Sequence, residues 1–232
     1  MILVLASEHD TSARELVRAI PDAALSGAED LSAPDWLHRV GGRGSQFVVA
    51  GGVRVDHDAI DAVVVRRPYV APAELRWIRP PDRCYVAAEA TAFLRSWLAC
   101  CPCRVVNQPT ATSLSGPSWR PLQWRAAALR AGLELAAAPP GIGAPAATTT
   151  VLVIGQTTLC APVATDTAPP GLGAMGLTLA REAGTDLLEV VFTTAPGDSR
   201  FVRANPWPEL TAPRTVAALR DLLTASCSAV RS

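Results

Sequence analysis

The sequence contains no lysine, and all 21 of its basic residues are arginine. Arginine is a planar fork that stays charged, whereas lysine is a compact and strongly hydrated point charge, so the two are not interchangeable where phosphate or carboxylate is bound. A site built around a lysine ammonium group is therefore excluded. Any anion that this chain binds has to be held by arginine, histidine or polar neutral groups.

The chain also has no net charge and no long apolar run. Its 21 basic residues are balanced by 21 acidic residues, which argues against nucleic acid as a partner because phosphate neutralisation requires a basic surface. No run approaches the roughly 20 apolar residues of a membrane span, and the opening Met1–Ala6 is too short for a signal peptide. The six cysteines lack the spacing of a disulfide scaffold. We therefore expect reduced thiols, no membrane partner and a cytoplasmic location.

The apolar pattern indicates an α/β fold with a parallel-type sheet. In the first half, short apolar runs typical of buried strands alternate with segments of helical periodicity, at residues 2–6, 12–20, 62–65, 85–99, 104–107 and 119–131. Gly51-Gly52 separates two β-branched runs and predicts a hairpin. The second half is predicted to hold two hairpins and two helices, at residues 150–163, 172–183, 187–204 and 213–227. Residues 21–45 carry no clear pattern.

A change of composition divides the chain. Residues 136–147 consist almost entirely of Ala, Pro and Gly, and such a segment offers too little apolar surface to offset the entropy of ordering it. We expect a short irregular connection there. The predicted division is an N-terminal domain over residues 1–133, a linker over residues 134–149 and a C-terminal core over residues 150–232.

Three motifs are weak signals of chemistry. Gly171–Gly176 matches G-x-G-x-x-G, but the dinucleotide fingerprint requires a strand directly before it, and residues 167–170 are Thr-Ala-Pro-Pro. Cys100–Cys103 contains C-x-x-C after a predicted helix, where the helix dipole disfavours a thiolate. We interpret the first as a flexible helix start and the cysteines as small buried residues. His57 lies near the predicted hairpin and is expected in solvent.

Charged side chains follow two of the predicted parallel strands. His9 and Asp10 come after the first strand, and Arg66 and Arg67 end another. Since the carboxyl ends of such strands converge on one crevice and the arginine fork suits a carboxylate, the sequence predicts an anion site containing His9, Arg66 and Arg67. The alternative is structural: Asp10 or Thr11 caps a helix, and the arginines provide one surface charge and one buried ion pair.

The order of elements in residues 1–133 resembles the N-terminal region of ATP-grasp ligases, especially those that mature ribosomally made peptides. The matching segments are Leu3–Asp10, Val65–Pro68, Glu89, Val106–Pro109, Arg120–Gln123 and Ala131–Leu133. Members of that family typically carry lysine where Arg120 stands. The resemblance adds Asn107, Arg120 and Gln123 to the candidate ligand-binding residues.

Residues 150–224 resemble the end of the family's catalytic domain, with large departures. Between the two resembling regions the family has a lid that clamps ATP, where this chain has only the Ala/Pro/Gly stretch. The resemblance places the metal carboxylates at Val191 and Arg203, and leaves Asn205 alone of the usual Asp/Glu/Asn set. Because Mg²⁺ is bound through carboxylates and phosphates, the resemblance implies a truncated ATP-grasp core with no lid, no metal and no nucleotide cofactor.

The expected function follows from these departures. We expect an ATP-grasp-like pseudoenzyme of peptide or amino-acid natural-product biosynthesis, which binds a substrate peptide or pairs with an intact ligase. Arg203 and Asn205 are further candidate ligand-binding residues. Homo- or hetero-oligomers are expected, because loss of the lid bares surface and because Trp119, Trp124 and Trp207 can act as interface anchors. Two alternatives remain open: an enzyme with repurposed, ATP-independent chemistry in the former ligase cleft, and a purely structural relic.

Overall fold

The computed structural model describes residues 1–40, 46–137, 148–161, 168–193 and 199–230. The chain divides into two compact units, one made of residues 1–116 and the chain from Leu219 on, the other of residues 117–218. Most of the predicted connection, residues 138–147, lies outside the described ranges, so the linker and the division at residues 133 and 150 stay predictions. None of the described helices combines the length and hydropathy needed to cross a bilayer.

The first unit is built on a parallel sheet. In chain order it contains β1 (Ile2–Leu5), α1 (Thr11–Ala19), β2 (Ala23–Ser26), β3 (Phe47–Ala50), β4 (Val53–Asp56), β5 (Ala62–Val65), α2 (Arg83–Ala99) and β6 (Arg104–Val106). The strands of the parallel sheet run in the order β2-β1-β5-β6, and β3 pairs with β4 in a separate antiparallel hairpin. Apart from β2, these elements confirm the prediction, with shifts of a few residues at their ends.

The buried strands explain why the first unit is readable from its sequence. All four residues of β1 and of β5 are buried, as expected for parallel strands that are covered on both faces and therefore read as continuous apolar runs. Leu3, Leu5, Val63 and Val65 pack in one core with Trp97 of α2. The first unit therefore presents the carboxyl ends of β1 and β5 side by side.

β2 departs from the sequence prediction. Its Ala-Ala-Leu-Ser sequence has little intrinsic strand propensity, and the strand forms because its four residues pair in register with β1, from Ile2↔Ala23 to Leu5↔Ser26. The hydroxyl of Ser26 also donates to the backbone oxygen of Val49 at 2.9 Å. Tertiary pairing therefore overrides local preference at this edge of the sheet.

The second unit is built on an antiparallel sheet. In chain order it contains α3 (Pro121–Arg130), β7 (Thr148–Ile154), β8 (Thr157–Ala161), α4 (Pro170–Ala183), β9 (Leu187–Thr193), β10 (Phe201–Asn205) and the start of α5 (Pro213–Val230). The strand order is β10-β9-β7-β8, so β10 is an edge strand. Leu188, Val190 and Phe192 of β9 pack in one core with Trp124 of α3 and Leu179 of α4.

The side chains of β9 alternate between the core and the opposite face of the antiparallel sheet. Side chains of a strand point to opposite faces in turn, so Glu189 and Val191 lie on the face opposite to the core formed with α3 and α4. Arg203 pairs with Val191 across the ladder, and Asn205 pairs with Glu189. These four residues therefore share one face of the sheet.

Candidate functional site

The first predicted cluster lies at the carboxyl ends of β1 and β5. Asp10 caps α1, because its Oδ1 accepts from the backbone nitrogen of Ala13 at 2.9 Å. Its Oδ2 accepts from Arg66 Nε, also at 2.9 Å, and both side chains are largely buried. Asp10 therefore confirms the capping alternative and neutralises Arg66 as well.

Arg67 is a buried cation with only 4% of its surface exposed. Its Nη2 donates to the backbone oxygen of Ala6 and lies 3.3 Å from Glu74 Oε1. Among the described residues, its Nε and Nη1 find no hydrogen-bond partner. Burial lowers the pKa of Arg67, and the Glu74 carboxylate opposes this effect. Arg67 is thus buried and Arg66 largely buried, each is paired with an acid, and anion binding by this pair stays a prediction.

His9 lines a shallow cleft of about 220 Å³ beside this cluster. Its side chain is exposed, and the other charged residues that line the cleft are three glutamates and one arginine: Glu8, Glu29, Glu74 and Arg76. Glu74 is also the partner of Arg67. An anion that approached His9 would therefore meet three carboxylates, which separates His9 chemically from the guanidinium groups predicted to join it.

Asn107 directly follows β6 and is buried. Gly116 lies against it with φ +74°, and a Cβ atom at position 116 would come within 3.0 Å of the Asn107 Cβ. A side chain at position 116 would therefore be strained both by its backbone and by this contact. The loop is further fixed by Ser115, whose hydroxyl donates to the backbone oxygen of Val65. Asn107 is packed into the interior here, and a ligand-binding role stays a prediction.

His57 is buried, so the prediction that it lies in solvent is wrong. Its ring packs edge-on against Trp97 at 5.7 Å between centroids, and its Nε2 lies 3.7 Å from the Cys101 sulfur. Burial lowers the pKa of His57, and Asp58 opposes this effect. A hydrogen bond between Cys101 and Cys103 raises the pKa of the first thiol and lowers that of the second. Across the described ranges, no three His, Cys, Asp or Glu side chains are placed to hold a metal ion.

The face formed by Glu189, Val191, Arg203 and Asn205 is where the resemblance expects metal ligands. Arg203 Nη1 lies 2.9 Å from Glu189 Oε1. The Asn205 amide is bound locally: its Oδ1 accepts from the Trp207 backbone nitrogen at 3.0 Å, and its Nδ2 donates to the Trp207 backbone oxygen at 3.2 Å. Each polar group of this face already has a protein partner.

These side chains do not fit Mg²⁺. The ion prefers oxygen ligands, usually one or two carboxylates together with substrate phosphates, but Glu189 is already paired with a guanidinium group and Val191 offers no ligand atom. The exposed Arg203 also places a positive charge on the face where the resemblance expects the ion. Sequence reasoning missed Glu189, although its position two residues before Val191 on a strand puts it on the same face.

Arg120 and Gln123 stand at the start of α3, which begins at Pro121, two residues later than predicted. Proline is favoured at the first helical position because its missing N–H would have no partner there. Gln123 Oε1 accepts from the Arg120 backbone nitrogen at 2.8 Å, and both side chains are exposed. The local role of Gln123 is therefore helix capping, and ligand binding by Arg120 and Gln123 stays a prediction.

An aromatic cleft of about 300 Å³ lies between the start of α3 and the edge strand β10. It is lined by three tryptophans and three prolines, together with polar residues: Trp119, Trp124, Trp207, Pro117, Pro121, Pro206, Ser118, Arg125, Arg203 and Asn205. Trp119 and Trp124 pack edge-on at 4.8 Å between ring centroids. Of the predicted site residues, the cleft brings together Arg203 and Asn205, whereas Arg120 and Gln123 are not among its lining residues.

Comparison with solved structures identifies the fold. The macrocyclase MdnC from Microcystis aeruginosa MRC, solved with the precursor peptide MdnA, superposes with a TM-score of 0.73 over 97% of this chain and 99% of MdnC, at 13% identity. The ATP-grasp ligase PsnB, solved with a minimal precursor, Mg and ADP, superposes with a TM-score of 0.67 over 98% of each chain, also at 13% identity.

A RiPP-associated ATP-grasp ligase from Chryseobacterium gregarium, solved with ADP and a leader and core peptide, gives a TM-score of 0.64 over 97% of this chain and 96% of that ligase, at 11% identity. No protein-family model matches the sequence, and no curated protein is significantly similar to it. At these identities the likeness concerns the fold. The chain therefore has the mixed α/β fold of the ATP-grasp ligases that modify ribosomally made peptides, which confirms the predicted fold class.

Proposed function

We propose that this chain is a non-catalytic, ATP-grasp-like protein of peptide natural-product biosynthesis, which binds a substrate peptide or an intact ligase. The observation that carries the proposal is the ion pair between Arg203 and Glu189 at 2.9 Å, on the face where the resemblance expects two metal carboxylates. A guanidinium group there supplies the positive charge that Mg²⁺ would otherwise bring.

The energetics of phosphoryl transfer support the proposal. Catalysis of this reaction depends on metal ions and cationic side chains that stabilise the charge developing on the transferred phosphoryl group. Mg²⁺ binding at this face would require breaking the Arg203–Glu189 pair and holding the ion beside a guanidinium group. The absence of lysine from the sequence removes the usual phosphate contacts as well.

Calorimetry with Mg-ATP tests the non-catalytic part. We expect no heat of binding when Mg-ATP is added to this chain. PsnB, whose solved complex contains Mg and ADP, is the positive control under the same conditions. A micromolar dissociation constant, which corresponds to about −8 kcal/mol, would contradict the proposal. Hydrolysis of ATP by the chain alone would contradict it as well.

The binding part is supported by the structural neighbours, which include complexes with precursor peptides. The test is fluorescence anisotropy with labelled precursor peptides encoded beside the gene of this chain, and light scattering over a concentration series with and without ligases encoded there. We expect binding to one of these partners, or a change of oligomeric state in their presence, without chemical change of the peptide. A specific protein interface would bury about 1,200–2,000 Å².

Two results would contradict the binding part. A monodisperse monomer that binds none of these peptides and ligases would overturn it. Conversion of a peptide by the chain alone, without ATP, would replace it with the alternative of a repurposed enzyme. Mass spectrometry of the peptide after incubation separates that outcome from simple binding.

A further inference from the structure

The aromatic cleft beside β10 has a stiff wall. Asn205, Pro206 and Trp207 line it, and Pro208 follows them in the sequence. A residue that precedes proline is restricted to extended conformations, and proline itself has a fixed φ angle. The two hydrogen bonds between the Asn205 amide and the Trp207 backbone hold this segment further. Trp207 is thus presented in one backbone arrangement, and a ligand that contacts it loses little affinity to ordering of the protein.

The charged side chains that are described in the lining of the cleft are both positive, namely Arg125 and Arg203. None of the described lining residues carries a carboxylate. Arg125 Nη1 donates to the backbone oxygen of Ala136 at 3.1 Å. The Arg203 side chain is 59% exposed and contacts Glu189 through Nη1, and a guanidinium group carries five N–H donors. Arg203 can therefore bind a second carboxylate while it keeps its pair with Glu189.

The size of the cleft limits the ligand. A volume of about 300 Å³ is at the lower end of the range for small-molecule sites, roughly 300–1,000 Å³. One or two amino-acid residues fit such a space. The tryptophan and proline rings favour an apolar ring, and the arginines favour a carboxylate within reach of that ring.

We propose that the cleft between α3 and β10 binds a peptide segment in which an aromatic or prolyl ring lies next to a carboxylate. The ring packs against Trp119 and Trp207, and the carboxylate pairs with Arg203. The choice of a peptide as the ligand rests on the proposed function, whereas the pairing of a ring with a carboxylate follows from the lining of the cleft alone. The carboxylate can belong to a peptide C-terminus or to an acidic side chain.

Four short peptides test this on the wild-type chain. They are acetyl-Gly-Phe with a free carboxylate, its C-terminal amide, acetyl-Glu-Phe amide and acetyl-Gly-Ala with a free carboxylate. Calorimetry gives affinities, and quenching of tryptophan fluorescence reports occupation of the cleft. The free acid should bind about two- to fivefold more tightly than its amide, because its carboxylate pairs with an exposed guanidinium group and such pairs are weak. Removal of the ring should cost about tenfold.

The peptides also distinguish the source of the carboxylate. Binding of both acetyl-Gly-Phe and acetyl-Glu-Phe amide would support a site for any carboxylate beside a ring. Binding of acetyl-Gly-Phe alone would support a site for a C-terminus. Equal binding of acid and amide, equal binding of the Phe and Ala peptides, or binding of none would overturn the proposal.

Variants then assign the contacts. Arg203→Gln should abolish the preference for acid over amide, Arg203→Lys should retain part of it, and Trp207→Leu should weaken all ring-bearing peptides. Arg220→Gln, at an exposed arginine of α5, is the matched control and should leave binding unchanged. Circular dichroism and thermal melting establish that each variant is folded. An acid preference that survives in folded Arg203→Gln would overturn the assignment, and the wild-type peptide series decides the proposal even where a variant fails to fold.

Failure of this inference is distinguishable from failure of the proposed function. If a precursor peptide or ligase binds and the Arg203 and Trp207 variants bind it equally well, the cleft is not the site and the proposed function stands. If the short peptides bind as expected and no precursor peptide or ligase does, the cleft is a ligand site and the proposed function fails.

Discussion

Arg67 follows β5 and Arg203 lies within β10, and each pairs with a glutamate, but their surroundings differ. Arg67 is 4% exposed and donates to a backbone oxygen as well as to Glu74. Arg203 is 59% exposed and lines an aromatic cleft while it contacts Glu189. The same residue type therefore serves as an interior cation in one unit and as an accessible cation in the other.

The two clefts differ in the same way. The cleft at His9 is lined by three glutamates, one arginine and one tryptophan, whereas the cleft at Arg203 is lined by two arginines and three tryptophans. Carboxylates predominate among the charged residues of the first cleft and guanidinium groups among those of the second, so the proposed carboxylate ligand suits the second cleft better. Substitution of these residues tests whether Arg67 is structural and whether Arg203 is available for binding.

Replacement of Arg67 should have the largest effect. Arg67→Met removes the guanidinium partner of the Glu74 carboxylate and the bond to the Ala6 backbone oxygen, and loss of a hydrogen-bond partner in the interior costs about 1–3 kcal/mol. Urea denaturation measures this loss as a fall in the free energy of unfolding. Arg67→Lys keeps the positive charge but loses the planar, forked guanidinium group. Its free energy of unfolding should therefore lie between those of the wild type and Arg67→Met. If Arg67→Met remains as stable as wild type but loses ligand binding, Arg67 belongs to a site after all.

The buried His57 should make stability depend on pH. Burial lowers its pKa below the ordinary value of 6.5, so the unfolded chain takes up a proton first as the pH falls. The free energy of unfolding should therefore not depend on this group above about pH 6.5. Below that pH it should decrease by no more than about 1.4 kcal/mol per pH unit, until the pH passes the lowered pKa of His57. Chemical denaturation between pH 7.5 and about 5 measures this slope.

Two variants assign the pH dependence to this histidine. His57→Gln should flatten the slope, although it also lowers stability at every pH because the packing against Trp97 is lost. His9→Gln, at an exposed histidine, is the matched control and should leave the slope unchanged. A slope that persists in folded His57→Gln would assign the proton uptake to other groups.

Replacement of Arg203 should have the smallest effect on stability. Exposed ion pairs contribute about 0–1 kcal/mol, so Arg203→Gln should change the free energy of unfolding by less than about 1 kcal/mol. A double-mutant cycle with Glu189→Gln measures the coupling directly. Coupling above about 2 kcal/mol, well beyond that expected of an exposed pair, would place Arg203 in the same structural class as Arg67 and remove the contrast between them.

The positions of the charged residues relative to the strands could be predicted from the sequence, whereas the residues that they contact could not. The position of Arg66 and Arg67 after β5 followed from the apolar run Ala62–Val65, yet their acid partners did not, because Asp10 lies 56 positions from Arg66 along the chain. The position of His57 near the predicted hairpin indicates a solvent-exposed side chain, yet His57 is buried because α2 places Trp97 against it. Glu189 could have been predicted from its alternation with Val191 along β9.

Local sequence was enough to predict most strands and helices and to exclude a lysine-based site, and through the resemblance it implies that Val191 and Arg203 stand where metal carboxylates are expected. Periodicity and residue type act over a few neighbouring positions, so they can be read locally. Contacts between distant segments explain why β2 forms, why Arg67 is buried while Arg203 is exposed, and which carboxylate each arginine meets. Ion pairing and desolvation depend on atoms within a few ångströms that come from distant parts of the chain, and only folding brings those atoms together.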